Sequence, residues 1–353
     1  KIAPVDANIF PAGFNNICQA DKDLAHELLR EYLVKRYPEA KKNVLLLTEE
    51  HTQNPYYWEN VHTIFSLIER AGYSVCVAIP RPLSSPMEVQ SINGHRFIIH
   101  GVEQTSSGLS VNGFEPELII NNNDFSSEYE SWLRELKVPV DPPIQMGWYR
   151  RRKDQFFNEY NTLAREFCEV IDVPPIWMNI KTEVFKGFDI GSEESRNKLA
   201  DRTDQFLASL QTSYKEHGIE TQPFAFVKNN SGTYGLGILK ANSGDEIRSW
   251  SYKSRKKMKA AKGGGGFSEV VIQEGIPTRF SHDGEAAEPA LYLIGRKLAG
   301  GFLRTHTKKG VEDNLNSPGA VYKRLCVSDL RVDVSGCPME NVYGWAARIG
   351  ALA

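Results

Sequence analysis

Residues 223 to 240, PFAFVKNNSGTYGLGILK, carry the densest chemical signal in the chain. An apolar run ends in Lys228, a polar loop follows with Gly232, Gly235 and Gly237, and a second apolar run begins at Ile238. Glycines let a backbone approach a phosphate closely and turn its N–H groups toward it, while a lysine adds point charge for the oxygens. That makes Lys228 and the loop residues Ser231, Gly232, Thr233, Tyr234, Gly235 and Gly237 candidate nucleotide ligands. No helix follows the loop, which separates the pattern from the Walker loop and from the dinucleotide fingerprint. A plain glycine-bearing hairpin shows the same local pattern.

Other segments offer complementary chemistry. Ser268 to Gly275, SEVVIQEG, reads as a buried strand with Gln273 and Glu274 at its end. Such an end supplies backbone groups to an adenine edge and a carboxylate to a ribose. Glu288–Gly295 and Gly300–His306 read as a hairpin carrying Arg304, and His306 is the one histidine placed near a site. The stretch EDNLNSPG, residues 312 to 319, spaces oxygen ligands two apart, which suits a hard cation such as Mg2+.

Two further clusters face amino-acid or anion chemistry. Arg150-Arg-Arg-Lys153 opens a helix, where cations oppose the dipole, so Arg151 and Arg152 are candidates for a bound carboxylate or phosphate as well as for a bland surface. Asp6, Asn8, Asn15 and Asn16 lie in a loop punctuated by glycine and proline. They suit recognition of an amino acid's ammonium and carboxylate, or simple Asx capping. Asn121-Asn-Asn-Asp124 follows a buried strand, and Asn123 is the candidate there, because ligands of open α/β sheets gather at the carboxyl ends of strands. Lys253 to Lys262, KSRKKMKAAK, reads as a solvated helix on a lid rather than a nucleic-acid stripe.

The elements that must hold these residues are legible as periodicity. Val44–Leu47, Tyr73–Ile79 and Leu118–Ile120 read as buried strands. Between the first two, Tyr57, Val61, Ile64, Phe65 and Ile68 recur at helical spacing from Tyr56 to Ala71, with Gly72 as the C-cap. Strand, helix, strand implies a parallel pair with a right-handed crossover. A small doubly wound α/β domain is therefore predicted, ending near Asp141-Pro-Pro143. Helices follow at Arg151–Ile171 and Glu194–Glu216. Strands are then expected at Phe224–Lys228, Gly237–Lys240, Glu269–Gln273, Leu291–Ile294 and Gly301–Thr305, and a last helix at Tyr343–Leu352.

Composition sets the outer bounds. The 353 residues imply two to three domains. Lys plus Arg is 42 and Asp plus Glu is 44, for a formal charge of -2, which argues against a polyanion binder. No run of about 18 apolar residues suggests a membrane span. Cys18, Cys76, Cys168, Cys326 and Cys337 are scattered and never spaced Cys-x-x-Cys, which predicts reduced thiols rather than a disulfide frame or zinc site. With no basic, apolar leader visible at the start, a cytoplasmic location is the expectation.

The order of these pieces resembles the ATP-grasp superfamily, and more closely the proteobacterial-type glutamate–cysteine ligases. The similarity is carried by PVDANIFPAGFNN (4 to 16), GWYRRRKDQF (147 to 156), VKNNSGTYGLGI, VIQEG, EPALYLI, GGFLRTH and EDNLNSPG. It spans nearly the whole chain. The resemblance implies an N-terminal α/β domain preceding ATP-grasp lobes, in a mixed α/β and α+β fold. The domains would be 1–145 for substrate, 146–276 as helical linker and lid lobe, and 277–353 as catalytic lobe. It implies an ATP-dependent joining of the glutamate γ-carboxylate to cysteine through an acyl phosphate, the first step of glutathione biosynthesis. Arg304 would then serve catalysis and Glu288, Asp313, Asn314 and Asn316 would hold Mg2+. These acids depart from the usual Glu-x-Asn triplet of the superfamily, since Asn314-Leu-Asn316 stands in its place. Another carboxylate–amine ligase, or a nucleotide-binding module without turnover, remains the alternative. Neither nucleic acid nor membrane is an expected partner, and a homo-oligomer is left open.

Overall fold

The computed structural model of the protein describes residues 1–49, 53–105, 108–126, 133, 135–231, 237–251, 254, 256 and 268–353. Among these residues the first layer is built from α1 (Gln19–Arg36), β1 (Asn43–Leu47), α2 (Pro55–Arg70), β2 (Ser74–Ile79), β3 (Met87–Gln90), β4 (Arg96–Gly101), the small β5 (Glu103–Thr105) and β6 (Gly108–Ser110) pair, β7 (Leu118–Asn121) and β8 (Val140–Asp141). The main sheet runs β3-β4-β2-β1-β7-β8, and β1 pairs in parallel with both β2 and β7. β3 is an antiparallel edge. Leu45 and Leu47 of β1 pack toward Ala78 and Ile119, while Val44 and Leu46 pack toward α2, so the strand is apolar on both faces. The chain leaves β1 toward β2 on one side and returns through β7 on the other. That reversal opens a crevice at the carboxyl ends of β1 and β7.

α2 forms as its pattern predicts. Asn54 caps it by accepting from the Tyr56 amide, Pro55 sits in the first turn, and Val61, Ile64, Leu67 and Ile68 are buried. Gly72 ends it with φ of +100°, a conformation that side-chain-bearing residues rarely adopt.

The second layer begins with α3 (Lys153–Val170). It continues with β9 (Thr182–Lys186), α4 (Glu193–Glu216), β10 (Ala225–Asn229), β11 (Leu239–Ala241), the short α5 (Gly244–Arg248) and β12 (Glu269–Glu274). The sheet β11-β10-β12-β9 is antiparallel, and α4 packs Leu199, Phe206, Leu210 and Tyr214 against Val227, Val270 and Ile272. The last layer holds β13 (Phe280–His282), β14 (Glu285–Ile294), β15 (Lys297–Thr305) and β16 (Val321–Leu325) as one antiparallel sheet. The ribbon β17 (Arg331–Val334) and β18 (Cys337–Glu340) follows, then α6 (Val342–Leu352). The architecture is thus mixed α/β, with parallel and antiparallel sheets.

The hairpin read over Glu288–Gly295 and Gly300–His306 is present as β14 and β15, with β14 starting three residues earlier at Glu285. Two features depart from the sequence expectation. α1 was not legible, because its charged residues obscure a narrow buried stripe of Ala25 and Leu33. Cys18 and Cys326 form a disulfide, with Cα atoms 5.8 Å apart and 308 residues between them, against the expected reduced thiols. Spacing in sequence carries no information on a pair that the tertiary fold brings together. No helix among the described residues is long and apolar enough to cross a membrane.

Candidate active site

Residues 5 to 16 form a strap that meets candidates from every layer. At its start it faces three buried or half-buried cations. Lys228, at the end of β10 and 3% exposed, donates to the Val5 carbonyl at 3.2 Å and to Gln273 Oε1 at 2.5 Å. Lys153, in the first turn of α3 and 5% exposed, pairs with Asp6 Oδ2 at 2.7 Å. Arg151 donates to the Ala7 carbonyl at 2.6 Å. Both Arg151 and Lys153 approach the Trp148 ring, at 4.9 and 4.6 Å from its centroid, and Lys228 lies 5.7 Å from the Phe226 ring.

The electrostatics follow from this crowding. Burial pushes the Lys228 ammonium down to about 8; Asp6 and Glu288 oppose that fall and Lys153 adds to it. Burial would raise the Asp6 carboxyl, but Lys153, Lys228 and Arg151 outweigh it and hold the group below the usual carboxylate range. Two buried ammonium groups and a half-buried guanidinium around one carboxylate leave an excess of positive charge that attracts an anionic ligand.

On the opposite sheet, Glu288 and Arg304 stand opposite each other across β14 and β15 and pair at 2.6 Å. Strand alternation puts Phe302 on the face of Arg304, and the guanidinium lies 5.9 Å from that ring. Arg304 Nε is buried and finds no acceptor among the described residues. Glu288 acts on Lys228 through space, which connects the two halves of the cluster.

The other end of the strap docks on the crevice of the first sheet. The Pro11 carbonyl accepts from Asn60 of α2 at 3.1 Å and from Asn122, which follows β7. The Phe14 amide donates to Asn60 Oδ1 at 2.8 Å, and Tyr292 of β14 donates to the Ala12 carbonyl at 2.9 Å. Gly13 has φ of +83°, and a Cβ there would stand 2.5 Å from the Tyr292 hydroxyl, so only glycine fits.

Several candidates spend their side chains on the scaffold. Glu274 is buried and accepts from the Tyr214 hydroxyl at 2.5 Å and the Lys181 amide at 2.9 Å, and pairs with Lys1 at 2.6 Å. Gln273 also donates to Thr182 at 3.2 Å. Asn123 bridges the Thr48 carbonyl and the Phe125 amide. Asn8 accepts from the Phe10 amide, Asn15 donates to Asn16, and Arg152 folds back on the carbonyls of its own turn. Asp313 accepts from the Gly310 amide and Asn314 from the Asn316 amide, with the Asn314 Nδ2 buried and without an acceptor. His306 holds this loop through Pro318 and the Lys308 amide. Ser231 donates to Asn229, and Gly237 has φ of +66° at the start of the return strand. Gly232, Thr233, Tyr234 and Gly235, with most of the basic run 253 to 262, lie outside the described residues.

Sequence reasoning missed Lys153, Trp148, Asn60 and Tyr292. Asn60 left a signal, since it is a polar residue three positions after Tyr57 and four before Ile64, inside the apolar stripe of α2. Lys153 lay in the flagged basic run, but which member of that run turns inward depends on where the helix starts.

Residues 1–353 match the family model described as glutamate-cysteine ligase. A solved structure from Methylobacillus flagellatus KT, assigned as a gamma-glutamylcysteine synthetase, superposes with a TM-score of 0.86 at 33% identity. The match covers 99% of this chain and 84% of that one. No curated protein matches the sequence at a significant level. A family match over every residue, joined to a fold shared at that level, makes the chain a member of the glutamate–cysteine ligase family.

Proposed function

We propose that the cations gathered around Asp6 form the centre at which ATP activates the γ-carboxylate of glutamate. The carboxylate attacks the γ-phosphorus and ADP leaves; the cysteine amine then attacks the acyl carbon and phosphate leaves, giving γ-glutamylcysteine. The observation that carries this reading is the convergence of Lys153, Lys228 and Arg151 on one segment, with both lysines buried and the Asp6 carboxylate open to solvent. No side chain need act as a covalent nucleophile, because the work is positioning and charge neutralisation. Shielding from water protects an acyl phosphate from hydrolysis.

In this reading residues 1–145 form the substrate domain, 146–276 the linker and lid lobe, and 277–353 the catalytic lobe of an ATP-grasp arrangement. Lys228, Gln273, Glu274 and the loop of Ser231 to Gly237 serve ATP. Asp6, Asn8, Asn15, Asn16, Asn123, Arg151 and Arg152 serve the amino acids, and Arg304 serves the transferring phosphoryl group. Glutamate–cysteine ligases use ATP and a divalent metal. Glu288, Asp313, Asn314 and Asn316 offer only oxygen donors, which fits Mg2+ in particular. When bound, that ion would offset charge on the β- and γ-phosphoryl oxygens. The substrates would be met in the cytoplasm, although disulfides such as Cys18–Cys326 are rare there.

ADP release that requires both glutamate and cysteine is the expected result. Release with other amino acids preferred points to a different ligase, and binding of ATP without amino-acid-dependent release removes the proposal.

The lowered Lys228 pKa has a direct consequence. The ammonium is charged below pH 8 and neutral above it, so ATP affinity is expected to fall as pH rises through about 8. Calorimetric titration between pH 7 and 9.5 checks this, and the Lys228→Met variant should lose most of the dependence.

A further inference from the structure

We infer that Glu59, His62 and His95 form a binding site for a divalent transition-metal ion, apart from the nucleotide site. Glu59 and His62 lie three residues apart on α2 and so share a face. His95, between β3 and β4, lays its ring on that of His62, with centroids 3.6 Å apart and planes 7° from parallel. One ligand atom from each of the three residues lies within 4.8 Å of the others.

The independent pointer is Glu59. The residue is 9% exposed, Oε1 lies 3.9 Å from His95 Nε2, and Oε2 is buried with no hydrogen-bond partner. A buried carboxylate oxygen that accepts nothing is costly, and a cation answers it. Burial would raise the Glu59 carboxyl, but the polar side chains of Ser91 and Asn93 and the neighbouring imidazoles outweigh it and favour the ionised form that a cation needs. Two imidazoles and one carboxylate are the ligand set of Zn2+, Co2+ or Ni2+, whereas Mg2+ and Ca2+ take oxygens alone.

Ligation requires one local adjustment. A metal lies in the plane of each imidazole it binds, so two stacked rings must splay, and the donor atoms must close to about 3.3 Å across a tetrahedral ion. The side chain of His95 is 44% exposed and has room to turn. His62 stays anchored beside Phe97, at 5.8 Å between centroids. The ion would brace the turn of α2 that carries Asn60, and hence the Pro11 and Phe14 contacts of the strap.

Chelator-treated protein titrated with Co2+ tests the proposal. We expect visible d–d bands from nitrogen and oxygen ligation with one equivalent bound, and at least a tenfold loss of affinity in His95→Ala. That exposed position leaves the fold intact, which circular dichroism verifies. Asp313→Asn should bind Co2+ as the parent does. The absence of binding at micromolar Co2+, affinity unchanged in His95→Ala, or bands dominated by sulfur-to-cobalt charge transfer from a free thiol such as the exposed Cys337 would each overturn it. None of these outcomes bears on amino-acid-dependent ADP release.

Discussion

Lys228→Met is expected to weaken ATP binding by roughly 10- to 150-fold while leaving the protein folded. The estimate converts about 1.5 to 3 kcal/mol for a charge-assisted hydrogen bond to a bound anion. The fold should tolerate the change for a separate reason. Methionine keeps the stem that packs near Phe226 and Phe157, and it removes an ammonium whose burial is itself unfavourable. That gain offsets the bonds lost to Gln273 and Val5. Calorimetric titration with a non-hydrolysable ATP analogue and a thermal melt are read together. Unchanged affinity in a protein of unchanged melting temperature would take Lys228 out of the nucleotide site.

The second large effect is expected at Arg304. Arg304→Lys keeps the charge and can keep the pair with Glu288, but it loses the planar fork and the Nε donor that finds no acceptor among the described residues. A donor aimed at charge that develops only during transfer is worth about 100-fold in kcat. We expect that loss in kcat with less than about a threefold change in KM for ATP, since the substrate is bound without using this donor. Steady-state kinetics separate the two constants. A near-normal kcat would make Arg304 a strand residue that neutralises Glu288, and the phosphoryl-transfer role would pass to another cation.

Elements whose pattern serves one purpose were legible. β1 is apolar on both faces and α2 on one stripe, so Val44–Leu47 and Tyr56–Ala71 fall within one or two residues of their observed bounds. The hairpin of β14 and β15 was legible too, but not its full length, because the charged residues Glu285 and Glu288 break the apolar run; the observed register sets Glu288 opposite Arg304. The site divides likewise. Lys228 announced itself at a strand end before glycines, and the structure places it among Asp6, Lys153 and Gln273. Asn123 and Asn8 looked like ligands because Asx side chains suit both ligands and turns, and their observed bonds go to backbone. Lys153 and Tyr292 could not be singled out, since their importance comes from what lies across from them, more than 100 residues away in sequence.

The bond between Cys18 and Cys326 closes a covalent ring through most of the polypeptide. α1 and all the strands from β1 to β16 lie on that ring, while the strap of residues 5 to 16 hangs from it as a short tail beside Cys18. A single backbone cut anywhere between the two cysteines opens the ring without dividing the molecule. The tail would then remain tethered to the sheet of Tyr292 and Arg304, so a nicked chain keeps the strap beside the strand that it meets through Tyr292 and the Ala12 carbonyl.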